Sequence, residues 1–283
     1  MIFEDAIVAW RGIAPWQNDA QVEQDLILSG MIHEIYSHPF LKDQIIFRGG
    51  TCLNKLFWDN PTRYSEDLDF VQIKSGPIGP IADALNAVSK SIFDKDPVKK
   101  GITTRSLKLF YEFTPEMATG KPLRIKIEVN LREHFAVEGV KEMDFRLDSP
   151  WKTGVSKVRT FSLNELLATK IRALHQRKKG RDLYDLWKAK ELTPDWKNSA
   201  EIFLHYMDKD KKTIHRDALI NNLQAKLNDP IFKNDMTGLV RNLKDYDLRQ
   251  AADFVISEIF RHVPESKTKQ KKKGKVSNPV LKK

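Results

Sequence analysis

The stretch FRGGTCLNKLFWDNPTRYSEDLDFV, residues 47 to 71, ends in two carboxylates that folding alone would not place there. Apolar and acidic side chains alternate in Asp67-Leu68-Asp69-Phe70-Val71, which predicts a strand with Leu68 and Phe70 on one face and Asp67 and Asp69 on the other. Like charges at i and i+2 on one strand face repel, and Asp is a poor strand former. The pair is therefore unfavourable unless a cation sits between the two acids. Magnesium suits that place: it takes hard oxygen ligands, keeps several waters and binds through one or two carboxylates plus substrate phosphates. An arbitrary DxD is more often a hairpin end with its acids in water, so the flanking residues decide.

Upstream, Ile45-Ile46-Phe47 reads as a short buried strand. Gly49-Gly50-Thr51 follows at once and leads into Leu53, Leu56 and Phe57 at helical spacing. Strand, Gly-Gly, then helix start is a phosphate-binding geometry, because glycines admit close approach and the free amides of a first helical turn face an anion.

The run GGTxLxK followed by RxSxDLDF resembles the nucleotidyltransferase superfamily, and most closely its AbiEii/AbiGii-type toxin branch, to which the MenT toxins belong. The gap from Gly50 to Asp67 is longer than in the minimal superfamily pattern and is similar to the extended gap, with Arg63 and Ser65, of this branch. The resemblance implies that Asp67 and Asp69 bind the metals that carry the nucleotide.

The chain has 283 residues, 41% of them hydrophobic, enough for one large or two modest domains with ordinary cores. Of the net charge of +10, seven charges lie between Pro264 and Lys283, where eight lysines face one glutamate, leaving +3 for the rest. Residues 264–283 thus read as a disordered Lys-rich tail, and local patches must carry any case for nucleic acid. Cys52 is the only cysteine, which excludes an intrachain disulfide, points to a reducing compartment and leaves it a helix-packing role. No apolar run approaches membrane-spanning length and the N-terminus lacks the basic start of a secretory signal, so a cytoplasmic protein is expected. The seven histidines show no zinc-type spacing.

From Asp5 to about His38 the apolar pattern predicts helices broken by Pro15, with Trp10 and Trp16 as packing residues. Ile81, Leu85, Val88 and Ile92 predict another helix, and Thr103 to Thr114 a strand. After a turn at Gly120-Lys121-Pro122, LRIKIEVNL (residues 123–131) alternates cleanly, with Arg124, Lys126, Glu128 and Asn130 on one face. Read alone, Glu128 is a surface acid paired with Lys126 or Arg124. In the resemblance it falls on the strand that carries the superfamily's third carboxylate, a ligand of the catalytic metal.

The expected core ends near Val155 and a helical domain, residues 156–263, follows. Ser162-Leu163-Asn164-Glu165 is a capping box in which hydroxyl and carboxylate satisfy amides at a helix start. The helix runs to about Arg177, and Lys170 lies on its apolar stripe with Leu163, Leu166, Leu167 and Leu174. A lysine there is a local inconsistency unless an anion meets it or its stem snorkels outward. After Gly180 a second helix is expected to turn Leu183, Leu186 and Trp187 inward and to put Asp182 and Asp185 together on another face. Helices are also expected around 202–207, 219–227, 239–243 and 254–260. Arg172, Arg177, Lys178, Lys179 and Arg181 form a basic cluster suited to RNA, or simply a solvated helix end.

The fold expected from the resemblance is α+β: a nucleotidyltransferase-like mixed-sheet core flanked by helices, residues 1–155, with a helical C-terminal domain. It further implies that Gly49, Gly50, Thr51 and Lys170 cradle a nucleoside triphosphate, with Ser65 adding a contact and Asp182 and Asp185 positioning Lys170 or the nucleotide. Asp67, Asp69 and Glu128 would hold two magnesium ions for transfer of a nucleotide to an RNA acceptor, the tRNA 3′ end. The protein would be the toxin of a toxin–antitoxin or phage-defence system, with a cognate antitoxin as partner. A protein or small-molecule acceptor, a binding module without turnover and a metal-dependent nuclease are the alternatives. Against the nuclease, the third acid reads Lys-Ile-Glu rather than Glu-x-Lys.

Overall fold

The structure, a computed structural model, describes residues 2–117 and 122–266. The Lys-rich tail from residue 267 onward and the Gly120-Lys121 part of the expected turn lie outside the described residues. In chain order the elements are α1 (Glu4–Trp10), α2 (Asp19–Ser37), β1 (Ile45–Arg48), α3 (Gly49–Leu56), β2 (Asp67–Gln72), α4 (Gly79–Phe93), β3 (Lys99–Ile102), β4 (Ser106–Phe113), β5 (Leu123–Asn130), β6 (Lys141–Asp148), β7 (Thr153–Thr160), α5 (Leu163–Gln176), α6 (Gly180–Lys188), α7 (Trp196–Lys209), α8 (Arg216–Lys226), α9 (Pro230–Asn234) and α10 (Leu248–Phe254). Among the described residues no helix is long and apolar enough to cross a membrane.

The strands form one mixed sheet in the order β3-β4-β5-β2-β1-β7-β6. The centre is β2, antiparallel to β1 and parallel to β5. Its alternation works as the sequence predicts. Phe70 is buried and meets Phe47 and, from α2, Tyr36, with ring centroids 5.2 and 6.4 Å away, so the acids project from the opposite face. The α2 helix, buried along most of its length, lies against β5, β6 and β7. Trp10 and Trp16 do pack: both indoles donate to Asp25. Cys52 is buried with its Sγ 3.0 Å from Thr160 Oγ1, and burial pushes its thiol up to about 12.

The expected α+β architecture is what the chain forms, with three corrections. First, residues 141–148 form β6, in which Met143, Phe145 and Leu147 alternate with Asp144, Arg146 and Asp148, and β7 follows, leaving Val155 62% exposed. Yet β7 pairs with β1 through Phe47 and Thr160, so the sheet runs through residue 155 and ends at Thr160. One continuous apolar cluster also includes side chains from both sides of that boundary.

Second, residues 239–243 are turn rather than helix. Gly238 takes φ +80°, Leu239 and Val240 are inserted beside Tyr64 and Tyr184, and the Leu239 carbonyl accepts the Tyr64 amide at 2.7 Å. Third, the capping box is half made: Ser162 Oγ accepts the Glu165 amide. The Glu165 carboxylate instead accepts the amides of Val137 and Glu138 and the Tyr206 hydroxyl, so it ties down the loop after β5.

Gly180 starts α6 where a Cβ would stand 2.3 Å from the backbone oxygen of Phe232, which no side-chain rotation can relieve. Gly180→Ala should destabilise the protein by about 1–3 kcal/mol, seen as a lower urea midpoint. Gly101→Ala, with nothing within 4 Å of its new methyl group, should move it by less than about 0.5 kcal/mol. Equal midpoints for the two variants would refute this packing of α6 on α9.

Candidate active site

Strand pairing gathers the acids. Asp69 stands opposite Glu128 and Asp67 opposite Lys126 in the parallel β2–β5 ladder, on the face away from α2. The three carboxylates converge on one ammonium: Lys126 Nζ lies 3.1 Å from Asp67 Oδ2, 3.1 Å from Glu128 Oε2 and 3.9 Å from Asp69 Oδ1. Burial raises the Asp69 carboxyl above the usual range, with Lys126 pulling against it and Asp67 adding to it. Burial would raise Glu128 as well, but Lys126 and Lys108 hold it below that range. A cluster of hard oxygens already collected around a positive charge fits a divalent cation. As placed, however, no group of three or more His, Cys, Asp or Glu among the described residues is set to hold a metal ion, and the Lys126 ammonium stands between these acids.

The Gly-Gly turn is required by its neighbours. Gly49 has φ +86°, and a Cβ there would lie 2.7 Å from Asp69 Oδ2; a Cβ on Gly50 would lie 2.2 Å from an Arg63 guanidinium nitrogen and 3.4 Å from Lys170 Nζ. No side chain caps the start of α3 at Arg48, so its first amides remain available to an anion beside the acids. The Thr51 side chain turns away from this space. It is buried, with its hydroxyl 2.7 Å from Ser65 Oγ and 2.5 Å from the Asp67 carbonyl, fixing the approach to β2. Lys55, the lysine of the GGTxLxK run, turns to Asp25 instead of the site.

Lys170 meets its anions inside the protein. It is buried, 2.7 Å from Asp185 Oδ2 and 3.3 Å from Asp182 Oδ1, and both acids are fully buried. Asp185 also accepts two bonds from Arg63 at 2.6 and 2.8 Å, and Asp182 two from Arg177 at 2.6 and 2.7 Å. The expected inward turn of Leu183 and Leu186 holds, but Asp182 and Asp185 are inward as well: α6 is wrapped on nearly all sides. Burial alone would raise both carboxyls. Lys170 and Arg177 hold Asp182 below the usual range, and Arg63 and Lys170 hold Asp185 well below it. These two acids lie behind the cavity wall and reach it only through Lys170, Arg63 and Arg177.

The cavity itself measures about 620 Å³ and lies between the sheet face and α5. Gly49, Gly50, Ser65, Asp67, Asp69, Glu128 and Lys170 all line it. Eight basic side chains face it against four acids. Seven of the eight also pair with four acids behind the wall: Arg48 and Arg172 with Glu133, Lys170 and Arg177 with Asp182, Arg63 with Asp185, and Lys179 and Arg181 with Asp235. The neighbourhood is therefore close to neutral.

The same pairing changes the character of the basic cluster. Arg177, Lys179 and Arg181 line the cavity while holding acids, Lys178 holds Asp229, and Arg172 is buried over the Tyr206 ring. Lys126, Arg48 and Glu133 are site members to which sequence reading assigned no role in the site. Alternation did place Lys126 on the face of Glu128; for Arg48 and Glu133 the signal exists only in three dimensions.

A family model described as the nucleotidyl transferase AbiEii toxin of type IV toxin–antitoxin systems matches residues 33–258, which include every site residue above. The chain belongs to the AbiEii family. Membership makes it a nucleotidyltransferase of toxin–antitoxin type, with a nucleoside triphosphate and an antitoxin as the implied substrate and partner. The AbiEii fold seen here is similar to that of MenT4, a nucleotidyltransferase toxin from Mycobacterium tuberculosis H37Rv. The TM-score is 0.64 at 18% identity, over 91% of this chain and 89% of that one. A putative nucleotidyltransferase from H. pylori matches with a TM-score of 0.49 at 17% identity, over 87% and 95% of the two chains, a likeness too slight to carry any inference. At 18% identity the MenT4 likeness concerns the fold alone. No protein with a curated description matches the sequence.

Removing one partner from a buried ion pair strands the other, so Asp185→Ala, which leaves Arg63 and Lys170 short of an anion, should cost about 3–5 kcal/mol. Both acids have depressed carboxyls, so their contribution is full above about pH 4 and is lost as pH falls through the folded values below it. Urea midpoints measured from pH 7 to pH 3 should therefore fall more steeply for the parent than for Asp185→Asn. Parallel curves would show that Asp185 is not held by its cations.

Proposed function

We propose that this AbiEii protein transfers a nucleoside monophosphate from a nucleoside triphosphate to an RNA acceptor, the 3′ end of tRNA, with magnesium bound by Asp67, Asp69 and Glu128. The observation that carries this reading is the meeting of the three carboxylates around one positive centre, beside a helix start free to receive phosphate. Charge supports the metal. A near-neutral pocket with three carboxylates on its floor offers a triphosphate little net attraction, which divalent cations accompanying it would supply. Bound there, such an ion neutralises phosphate charge and lowers the pKa of an acceptor hydroxyl.

The chain's own groups position the reactants. The amides at Gly49 and Gly50, with the Lys170 ammonium beside them, hold the triphosphate. Asp182 and Asp185 keep Lys170 charged and aimed, and Ser65 adds a hydroxyl at the rim. The acceptor hydroxyl gives its proton to water and attacks the α phosphorus. A new Pα–O bond forms as the bond to the β-phosphate oxygen breaks, and pyrophosphate leaves. An acceptor end blocked in this way no longer accepts an amino acid, which accounts for toxicity, and the antitoxin would prevent that outcome.

With magnesium present, purified protein should move label from one of four α-labelled nucleoside triphosphates, tested separately, onto total tRNA. Chelation should abolish transfer, and Asp69→Ala or Lys170→Ala should reduce it at least about 100-fold. RNA shortened rather than labelled, or nucleotide bound with no product, would overturn the assignment.

A further inference from the structure

A transfer reaction has two substrates, and the cavity over the acids has room for one nucleotide. A second cavity, of about 530 Å³, opens where the loop after β5 meets the last turns of α7. The two share Arg172, whose guanidinium lies 4.8 Å over the Tyr206 ring on one side and 2.7 Å from Glu133 on the other. Glu133 in turn binds Arg48 of the first cavity, so a single Arg48–Glu133–Arg172 bridge separates them.

The lining of the second cavity is aromatic beneath and cationic at the rim. Phe135 packs 5.0 Å from buried Tyr206, and exposed His205 meets it edge-on at 6.0 Å. Lys209 holds its ammonium 5.9 Å above the Phe135 ring, and exposed Arg132 stands beside it. The acids of this lining are engaged: Glu133 by two arginines, and Asp210 by Arg132 at 3.8 Å and Arg172 at 3.9 Å. An aromatic platform with cations at its edge and an opening to solvent is the chemistry that receives an unpaired nucleotide of single-stranded RNA. The base stacks and the phosphate meets the cations.

We propose that this second cavity is the docking site for a terminal nucleotide of the RNA acceptor. Its base stacks on Phe135 with His205 against its edge, and Lys209 and Arg132 bind its phosphates. The identity of the acceptor rests on the nucleotidyl-transfer reading above; occupancy by RNA does not, and the two fail separately.

The probe is a single-stranded RNA decamer with fluorescein at its 5′ end and 2-aminopurine at its 3′ end, titrated into the full chain. Binding should quench the 2-aminopurine. His205→Ala, at an exposed position that leaves the fold intact, and Phe135→Ala should each weaken the anisotropy-measured affinity about tenfold and reduce the quench. Affinity for mant-labelled nucleoside triphosphates should stay unchanged. Three results would each overturn the proposal: a parent protein that neither binds nor quenches the decamer, variants that bind and quench like the parent, or an equal loss of triphosphate affinity. The last would give the cavity to the donor's base. A quench present in the parent and lost in the two variants, with a parent that labels no RNA, would retain the cavity and reject the transfer.

Discussion

Two carboxylates without solvent exposure, Asp182 and Asp185, dictate much of what surrounds them. A charge that deep persists only where cations and hydrogen bonds complete its shell, and here Lys170, Arg63 and Arg177 complete it. The requirement joins parts of the chain that nothing else would join. Arg63 and Asp185 are 122 residues apart, one on the loop into β2 and the other on α6. Asn54 on α3 fixes that loop by accepting the amides of Thr62 and Arg63. Breaking one contact of such a set strands several charges, so the loop, α5 and α6 are held in one arrangement and Lys170 is held at the glycine turn.

The floor of the cavity follows from a different constraint, the period-two geometry of strands. Once Leu68 and Phe70 enter the core, Asp67 and Asp69 have a single face left to them, and the same holds for Glu128 on β5. That much is legible from alternation. What the sequence does not contain is the register between β2 and β5, a property of the assembled sheet, which sets Asp69 against Glu128. The glycines were legible as a turn before a helix, but their necessity lies in Asp69 and Arg63, whose side chains fill the space a Cβ would need.

Elsewhere, sequence pattern and structure part company for identifiable reasons. Lys170 stood out as a lysine among leucines, and the inconsistency was real; its resolution lay in acids that helical spacing had set on another face. A helix wrapped by protein on all but a narrow strip at Arg181 and Lys188 buries polar positions too, so spacing alone does not place Asp182 and Asp185. The basic cluster was legible as charge but not as pairing, since Glu133 and Asp235 reach it from distant segments. Strand β6 does alternate, with Met143, Phe145 and Leu147 between charged residues, whereas β7 buries Ser156, Val158 and Thr160 and so lacks the apolar alternation that marks β4 and β5. The turn at residues 239–243 resembles a helix in sequence because Leu239 and Val240 are indeed buried, though by tertiary contacts with Tyr64 and Tyr184, while Leu243 is exposed.

The long separation between Arg63 and Asp185 also bears on the cell that makes this protein. Chains leave the ribosome from the N-terminus and fold as their segments emerge. The acids of β2 and β5 emerge well before α5 and α6, and until those helices are free the loop bearing Arg63 lacks its counter-charge and Lys170 does not yet exist. The site is thus unfinished through most of the chain's own translation, and a fragment that stops before α6 lacks the acids that anchor Arg63 and Lys170.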